Sequence, residues 1–167
     1  MSLAAADDSR TLTITRTLKA PRALVWKMFA DPYHLAQWWG PEGYSNRVER
    51  LDFRTGGSWL HVMIGPDGRE LPTDNVILEV AEPERIVYRN APADPRIFGD
   101  NPPPAFTRTV TFDDLGDGRT QLTLVCSFDT EAQRDAVIRR GFVLGTNQSY
   151  DKLEAYLATQ SAAPPPR

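Results

Sequence analysis

Residues 130–160, TEAQRDAVIRRGFVLGTNQSYDKLEAYLATQ, decide how the rest of the chain must be arranged. Thr130 followed by Gln133 has the form of a capping box, and Glu131 adds negative charge at the positive end of a helix dipole. Ile138, Phe142, Gly145, Thr146, Ser149, Tyr150, Leu153, Tyr156 and Leu157 then recur at helical spacing, while Arg134, Arg140, Asp151 and Glu154 fall mostly elsewhere. The spacing predicts one continuous helix with an apolar face, uninterrupted until Pro164. At ~1.5 Å per residue it would span on the order of 40 Å, enough to cross a small sheet. Glycine within a helix costs roughly 1 kcal/mol relative to alanine. Gly141 and Gly145 therefore imply either a sheet packed close against the helix or the wall of a cavity.

Upstream, Thr11 to Leu18 alternates as a half-buried strand, with Leu12, Ile14 and Leu18 on one face and Arg16 interrupting it. Ala20-Pro21-Arg22 begins a helix with Leu24, Val25, Met28 and Phe29 inward. Asp31-Pro32 begins another, which carries Leu35, Trp38 and Trp39 before Gly40-Pro41. From Tyr44 the signals are those of an antiparallel meander: Arg47–Phe53, Ser58–Ile64, Asn75–Ala81, Arg85–Asn90, Thr107–Leu115 and Thr120–Phe128. Bends fall at Gly56-Gly57, Pro66-Asp67-Gly68 and Gly116-Asp117-Gly118. Ala91 to Ala105 holds Pro92, Pro95, Pro102, Pro103 and Pro104 and is the one long loop, in which Ile97 and Phe98 could cover a pocket or plug the edge of the core. The expected fold is α+β: a curved seven-stranded antiparallel sheet wrapped around the long C-terminal helix, with two short helices after the first strand.

The chain has 167 residues, 41% hydrophobic and 25% charged, which suits one domain with a real core. Residues 1–10 are expected to be a flexible N-terminus, 11–160 the domain, and 161–167 a disordered tail. Asp plus Glu number 22 against 19 Lys plus Arg, and no basic run exceeds Arg139-Arg140, which argues against nucleic acid. No apolar run is long enough to span a membrane and there is one cysteine, so the cytoplasm is the expected location. No nucleophile elbow, phosphate loop or dinucleotide fingerprint is present. His34, His61 and Cys126 are too few for the common zinc sets, and neither a metal nor a cofactor is expected.

Strand parity supplies the candidate interior. Trp59, His61 and Met63 share one face of their strand and Leu60, Val62 and Ile64 the other; both are apolar and parity alone does not decide, so the first set is taken as inward for its larger side chains and for the resemblance given below. Val76, Leu78 and Val80; Ile86 and Tyr88; Arg108, Val110 and Phe112; and Leu122, Leu124, Cys126 and Phe128 complete the inner sets. His61 and Arg108 are the polar exceptions, and buried polar groups without partners cost a few kcal/mol. Either they orient a carboxylate, carbonyl or phenol of a ligand, or Arg108 reaches water and His61 bonds a neighbour. Cys126 reads as a small core hydrophobe, and Asp52 and Arg54 as residues that tie down the bend at Gly56-Gly57.

Taken together and in order, several motifs carry a family resemblance: Ala20-Pro21-Arg22-Ala23-Leu24-Val25-Trp26; Asp31-Pro32 with Leu35 and Trp38-Trp39-Gly40-Pro41; Asp52-Phe53-Arg54-Thr55-Gly56-Gly57 leading to Gly65-Pro66-Asp67-Gly68; and Gly145-Thr146-Asn147-Gln148-Ser149 with Leu153. The chain from Thr11 to Leu157 resembles the family of homologues of the activator of heat shock protein 90 ATPase, within the START-like (SRPBCC, Bet v allergen-like) superfamily. The resemblance implies the helix-grip fold with a cavity between sheet and long helix; related START-like proteins bind lipids, hormones or polyketides, and a few are enzymes. Arg108 and His61 depart from the family's more apolar pattern.

The expected activity is binding of a hydrophobic small molecule in that cavity, lined by Trp39, Trp59, His61, Met63, Leu78, Tyr88, Arg108, Val110, Phe142 and Thr146, with its mouth near the Ala91–Ala105 loop. A lyase or cyclase using His61 and Arg108 to polarise a carbonyl is the alternative, and a chaperone-associated or other protein-interaction module a further one. A homodimer and a chaperone partner stay open.

Overall fold

The computed structural model describes residues 9–162. Expectations for residues 1–8 and 163–167 lie outside the described residues. Thr11–Leu18 (β1) leads into Arg22–Ala30 (α1) and Pro32–Trp38 (α2). Six strands follow: Ser45–Leu51 (β2), Ser58–Ile64 (β3), Glu70–Ala81 (β4), Arg85–Asn90 (β5), Thr107–Gly116 (β6) and Arg119–Ser127 (β7). A single helical turn, Pro95–Phe98 (α3), interrupts the proline-rich loop, and Glu131–Arg139 (α4) and Phe142–Ala162 (α5) close the chain. The seven strands form one antiparallel sheet in the order β1-β7-β6-β5-β4-β3-β2, so the meander runs from β2 to β7 and β1 adds beside β7.

The expected single long helix is in fact two. Thr130 caps α4: its Oγ1 accepts from the Gln133 N–H at 3.1 Å, and Gln133 Oε1 accepts from the Asp129 N–H at 3.1 Å. Gly141 then takes φ +87°, a left-handed conformation that ends a helix and that glycine adopts without a Cβ penalty. The break redirects α4 and leaves Ile138, placed by periodicity on the inner face, 40% exposed. Beyond it the face of α5 is as expected, with Ser149, Tyr150, Leu153 and Leu157 buried. The helix continues past Gln160 to Ala162, into the segment expected to be a tail.

The second correction concerns β4, which begins earlier than expected and carries a bulge between Ile77 and Glu79. A bulge reverses inside and outside along a strand. Val80 packs on the core, but counting back in twos across the bulge gives the wrong face: Ile77 and Asn75 are inward, while Val76 and Leu78 are 48% and 45% exposed.

The other strands keep their expected parity. Trp59, Ile86, Tyr88, Val110, Phe112, Leu122, Leu124, Cys126 and Phe128 form one core with Val25, Met28, Phe29, Leu35 and Trp38 from the short helices. The Trp38 indole donates to the Met28 carbonyl at 3.1 Å, which lets its polar edge sit within that core. The bend after β2 is tied as the sequence suggested, with Arg54 Nε donating to Asp52 Oδ1 at 3.0 Å. Among the described residues no helix is long and apolar enough to cross a membrane.

Candidate functional site

Between the sheet and the start of α5 lies a cavity of about 360 Å³. Its sheet side carries His61 and Met63 from β3, Leu71, Thr73 and Asn75 from β4, Tyr88 and Asn90 from β5, Arg108 from β6 and Leu124 from β7. Its helical side carries Trp39, Phe142, Gly145, Thr146 and Tyr150, and Phe98, Pro103 and Pro104 of the long loop form a further wall. The Arg140 guanidinium donates to the Asn101 carbonyl at 2.6 Å and so ties the end of α4 to that loop.

Seven of the ten expected positions line this space: Trp39, His61, Met63, Tyr88, Arg108, Phe142 and Thr146. Three do not. Leu78 points out of the sheet because of the bulge, and Val110 is enclosed in the core. Trp59 lies one layer beneath, its ring centroid 4.7 Å from Trp39, 4.8 Å from His61 and 5.1 Å from Tyr88. It faces a separate void of only about 10 Å³ among Phe29, Leu35, Phe53 and Ile77, which is packing rather than a site.

Adjacent strands set polar groups side by side across the inner face. Register pairs His61 with Thr73, Asn75 with Asn90, and Tyr88 with Arg108. Arg108 stands out among them. Its guanidinium carbon lies 3.8 Å from the Phe106 ring centroid, 5.5 Å from Tyr88 and 5.8 Å from Phe142, so aromatic faces surround the charge. Its Nη1 donates to Asn90 Oδ1 at 3.0 Å. That same oxygen accepts from the Phe106 N–H at 3.0 Å, and Asn90 Nδ2 donates to the Pro104 carbonyl at 3.3 Å. Asn90 is thereby locked, and it holds Arg108 in place. Burial pulls the Arg108 pKa below the usual arginine value, as expected for a charge taken out of water. Aromatic rings thus cover much of the head, while the side chain as a whole stays half-buried and faces the cavity.

His61 bonds a neighbour, its Nδ1 lying 3.2 Å from Asn46 Oδ1. An amide oxygen accepts only, so Nδ1 carries the proton in this pairing and Nε2 is left an acceptor. Burial, reinforced by the charge on Arg108, holds the His61 pKa at about 3, so the ring is neutral near neutral pH. Among the described residues, the buried Asn46 Nδ2 and Trp59 Nε1 meet no hydrogen-bond partner. Burial pushes the Cys126 thiol up to about 12, which fits a core side chain and not a nucleophile. Tyr88 and Tyr150 are likewise shifted upward by burial and stay neutral phenols.

Sequence reasoning passed over Asn75, Asn90 and Phe106. Asn90 and Phe106 continue the inward parity of Tyr88 and Arg108 by one step, but each sits at or just beyond the expected end of its strand. Asn75 was assigned outward by the same count that misplaced Leu78.

The polar residues at the start of α5 serve the fold. Asn147 Oδ1 accepts from Arg16 Nη2 at 3.2 Å, and Arg16 Nη1 also pairs with Asp151 at 2.8 Å, fastening α5 to β1. Gln148 Oε1 accepts from the Glu42 N–H at 3.1 Å, Ser149 Oγ from the Gly40 N–H at 3.0 Å, and Lys152 Nζ donates to the Tyr44 carbonyl at 3.0 Å. These bonds hold the Trp39–Tyr44 connection against the helix and so set one wall of the cavity.

A curved antiparallel sheet gripping a C-terminal helix, with two short helices after the first strand, defines a helix-grip protein of the START-like class. A family model described as Activator of Hsp90 ATPase homolog 1-like protein matches residues 19–158, and the chain belongs to that family. No curated protein matches it. Among solved structures, a protein from Mycobacterium smegmatis is 30% identical with a TM-score of 0.80, over 92% of this chain and 94% of that one. A protein from Nitrosomonas europaea is 28% identical with a TM-score of 0.80, over 94% and 99%. A protein from Arthrobacter aurescens has a TM-score of 0.82 at 24% identity, over 91% and 88%, and shows the fold alone.

Proposed function

We propose that this protein binds a hydrophobic small molecule in the cavity between the sheet and the first turns of α5. The observation that carries the reading is the cavity itself: about 360 Å³, walled mainly by Trp39, Met63, Phe98, Phe106 and Phe142, with a few fixed polar groups among them. Ligand sites are typically roughly 300–1,000 Å³, mostly apolar, with a small number of placed polar groups that set orientation. Gly145 and Thr146 are small residues on the α5 side of this space.

The test uses the neutral dye N-phenyl-1-naphthylamine, whose emission rises on entering an apolar site. Uptake by the wild-type protein is expected, together with its loss in Thr146→Trp, which places an indole in the cavity. Circular dichroism and thermal unfolding check that the variant is folded. Equal uptake by the two folded proteins would place the dye elsewhere and remove this reading.

A further inference from the structure

The charges around the cavity are all of one sign. Arg108 and Arg140 are its charged side chains, and no Asp or Glu is among its lining residues. His61 is uncharged. Arg140 sits at the rim with its head on the Asn101 carbonyl, whereas Arg108 lies inside among Phe106, Tyr88 and Phe142. Among the described residues Arg108 makes one side-chain hydrogen bond, to Asn90, and no ion pair. A guanidinium has five N–H donors, so protein acceptors use only a small part of its donating capacity.

Taking a charge out of water is costly unless a partner meets it, and a charged group left with unmade bonds is the costliest kind. Phe106, Tyr88 and Phe142 supply part of the compensation through their ring faces. Its remaining donors face the cavity, where an anion can take them in place of solvent. Resting on the ligand-binding reading above, we infer that the cavity takes an amphipathic monocarboxylic acid, its carboxylate on the free edge of the Arg108 guanidinium and its apolar body against Trp39, Met63, Phe98 and Phe142. A planar carboxylate matches the guanidinium fork with two parallel bonds and fits between aromatic faces. A dianionic phosphate would carry a second charge into a space with one enclosed cation. Asn90 acts here as a positioning residue, since its locked Oδ1 fixes the direction in which the free donors point.

The experiment is displacement of N-phenyl-1-naphthylamine from the full chain near pH ~7, where carboxylic acids are ionised. The competitors are decanoic acid and 2-naphthylacetic acid, each with its methyl ester and the corresponding alcohol. In the wild-type protein the acids are expected to bind about ten- to hundredfold more tightly than their own esters and alcohols, the range for a hydrogen-bonded charge. Arg108→Met should abolish that preference while leaving ester binding within a few fold. Arg108→Lys should keep part of it, and Asn90→Ala should weaken acids selectively. Acids that bind no better than their esters to the wild-type protein would overturn the carboxylate assignment while the cavity reading stands. That comparison needs no folded variant. A dye that the wild-type protein does not take up at all removes both readings, and a preference retained in folded Arg108→Met assigns the anion to another residue.

Discussion

Arg108 lies over the face of Phe106, guanidinium carbon to ring centroid 3.8 Å, with Phe106 itself stacked on Phe128 at 4.5 Å. The charge is therefore seated on a ring that the core holds rigid. A double-mutant cycle with Phe106→Leu and Arg108→Met, followed by urea denaturation, should give a coupling of about 1–2 kcal/mol, the range for a partly desolvated cation–π pair. Additive effects would mean that the two side chains share space without interacting.

The neutral state of His61 predicts a pH dependence. Its neighbours are Asn46, Trp39, Trp59 and the Arg108 charge, and burial holds its folded-state pKa at about 3 against an ordinary 6.5. Because the folded value is the lower, the unfolded chain takes up the proton first as pH falls. The associated stability is complete above the ordinary value and is lost on acidification from there towards the folded value. Between about pH 7.5 and pH 5 the loss is expected to be about 2 kcal/mol, read from the urea midpoint. His61→Gln should flatten that segment of the curve; His34 is common to both proteins and cancels in the comparison. A wild-type curve already flat there would show His61 charged in the folded state.

The two glycines at the start of α5 should respond oppositely to alanine. At Gly141 the backbone is left-handed, φ +87°, and a Cβ there meets nothing within 4 Å, so Gly141→Ala carries backbone strain alone, about 1–2 kcal/mol destabilising. At Gly145 a Cβ would meet Pro41 Cβ at 3.7 Å, an ordinary contact, and the helix gains by up to about 1 kcal/mol. Thermal unfolding of the two variants separates the cases. Gly145→Ala lowering the midpoint would show that the wall behind it has no room to give.

Ser149→Ala removes the acceptor of the buried Gly40 N–H. Leaving that donor unmet should cost about 1–3 kcal/mol and loosen the connection between α2 and β2. Hydrogen exchange at the Gly40 amide should quicken by more than the fall in global stability explains. Exchange that tracks global stability alone would mean that other bonds hold the connection.

Much of the architecture could be read from the chain because its signals were local: the alternation of β1 and β5 to β7, Asp31-Pro32 at the start of α2, the Thr130–Gln133 cap. What escaped had a physical cause. Periodicity carries no mark for a single left-handed residue, so Gly141 looked like a helical glycine and Ile138 was placed inward. A bulge leaves two apolar parities looking alike, and Leu78 was chosen in place of Asn75 and Ile77. In the site, Arg108 and Phe142 stand out from clear patterns, whereas His61 and Met63 lie on a strand with two apolar faces and follow from side-chain size and the family resemblance. Asn90 and Phe106 were missed because they stand where strands fray into loops, and their role depends on Arg108, a partner distant in sequence.

Asn147, Gln148 and Ser149 grip Arg16, Glu42 and Gly40. The motif residues are thus bolts of the housing, and Ser149, with Gly145 and Thr146 of the same run, also faces the chamber. Arg108 and His61 stand outside that signature, so the frame of the vessel and the chemistry of its interior are written in different parts of the chain.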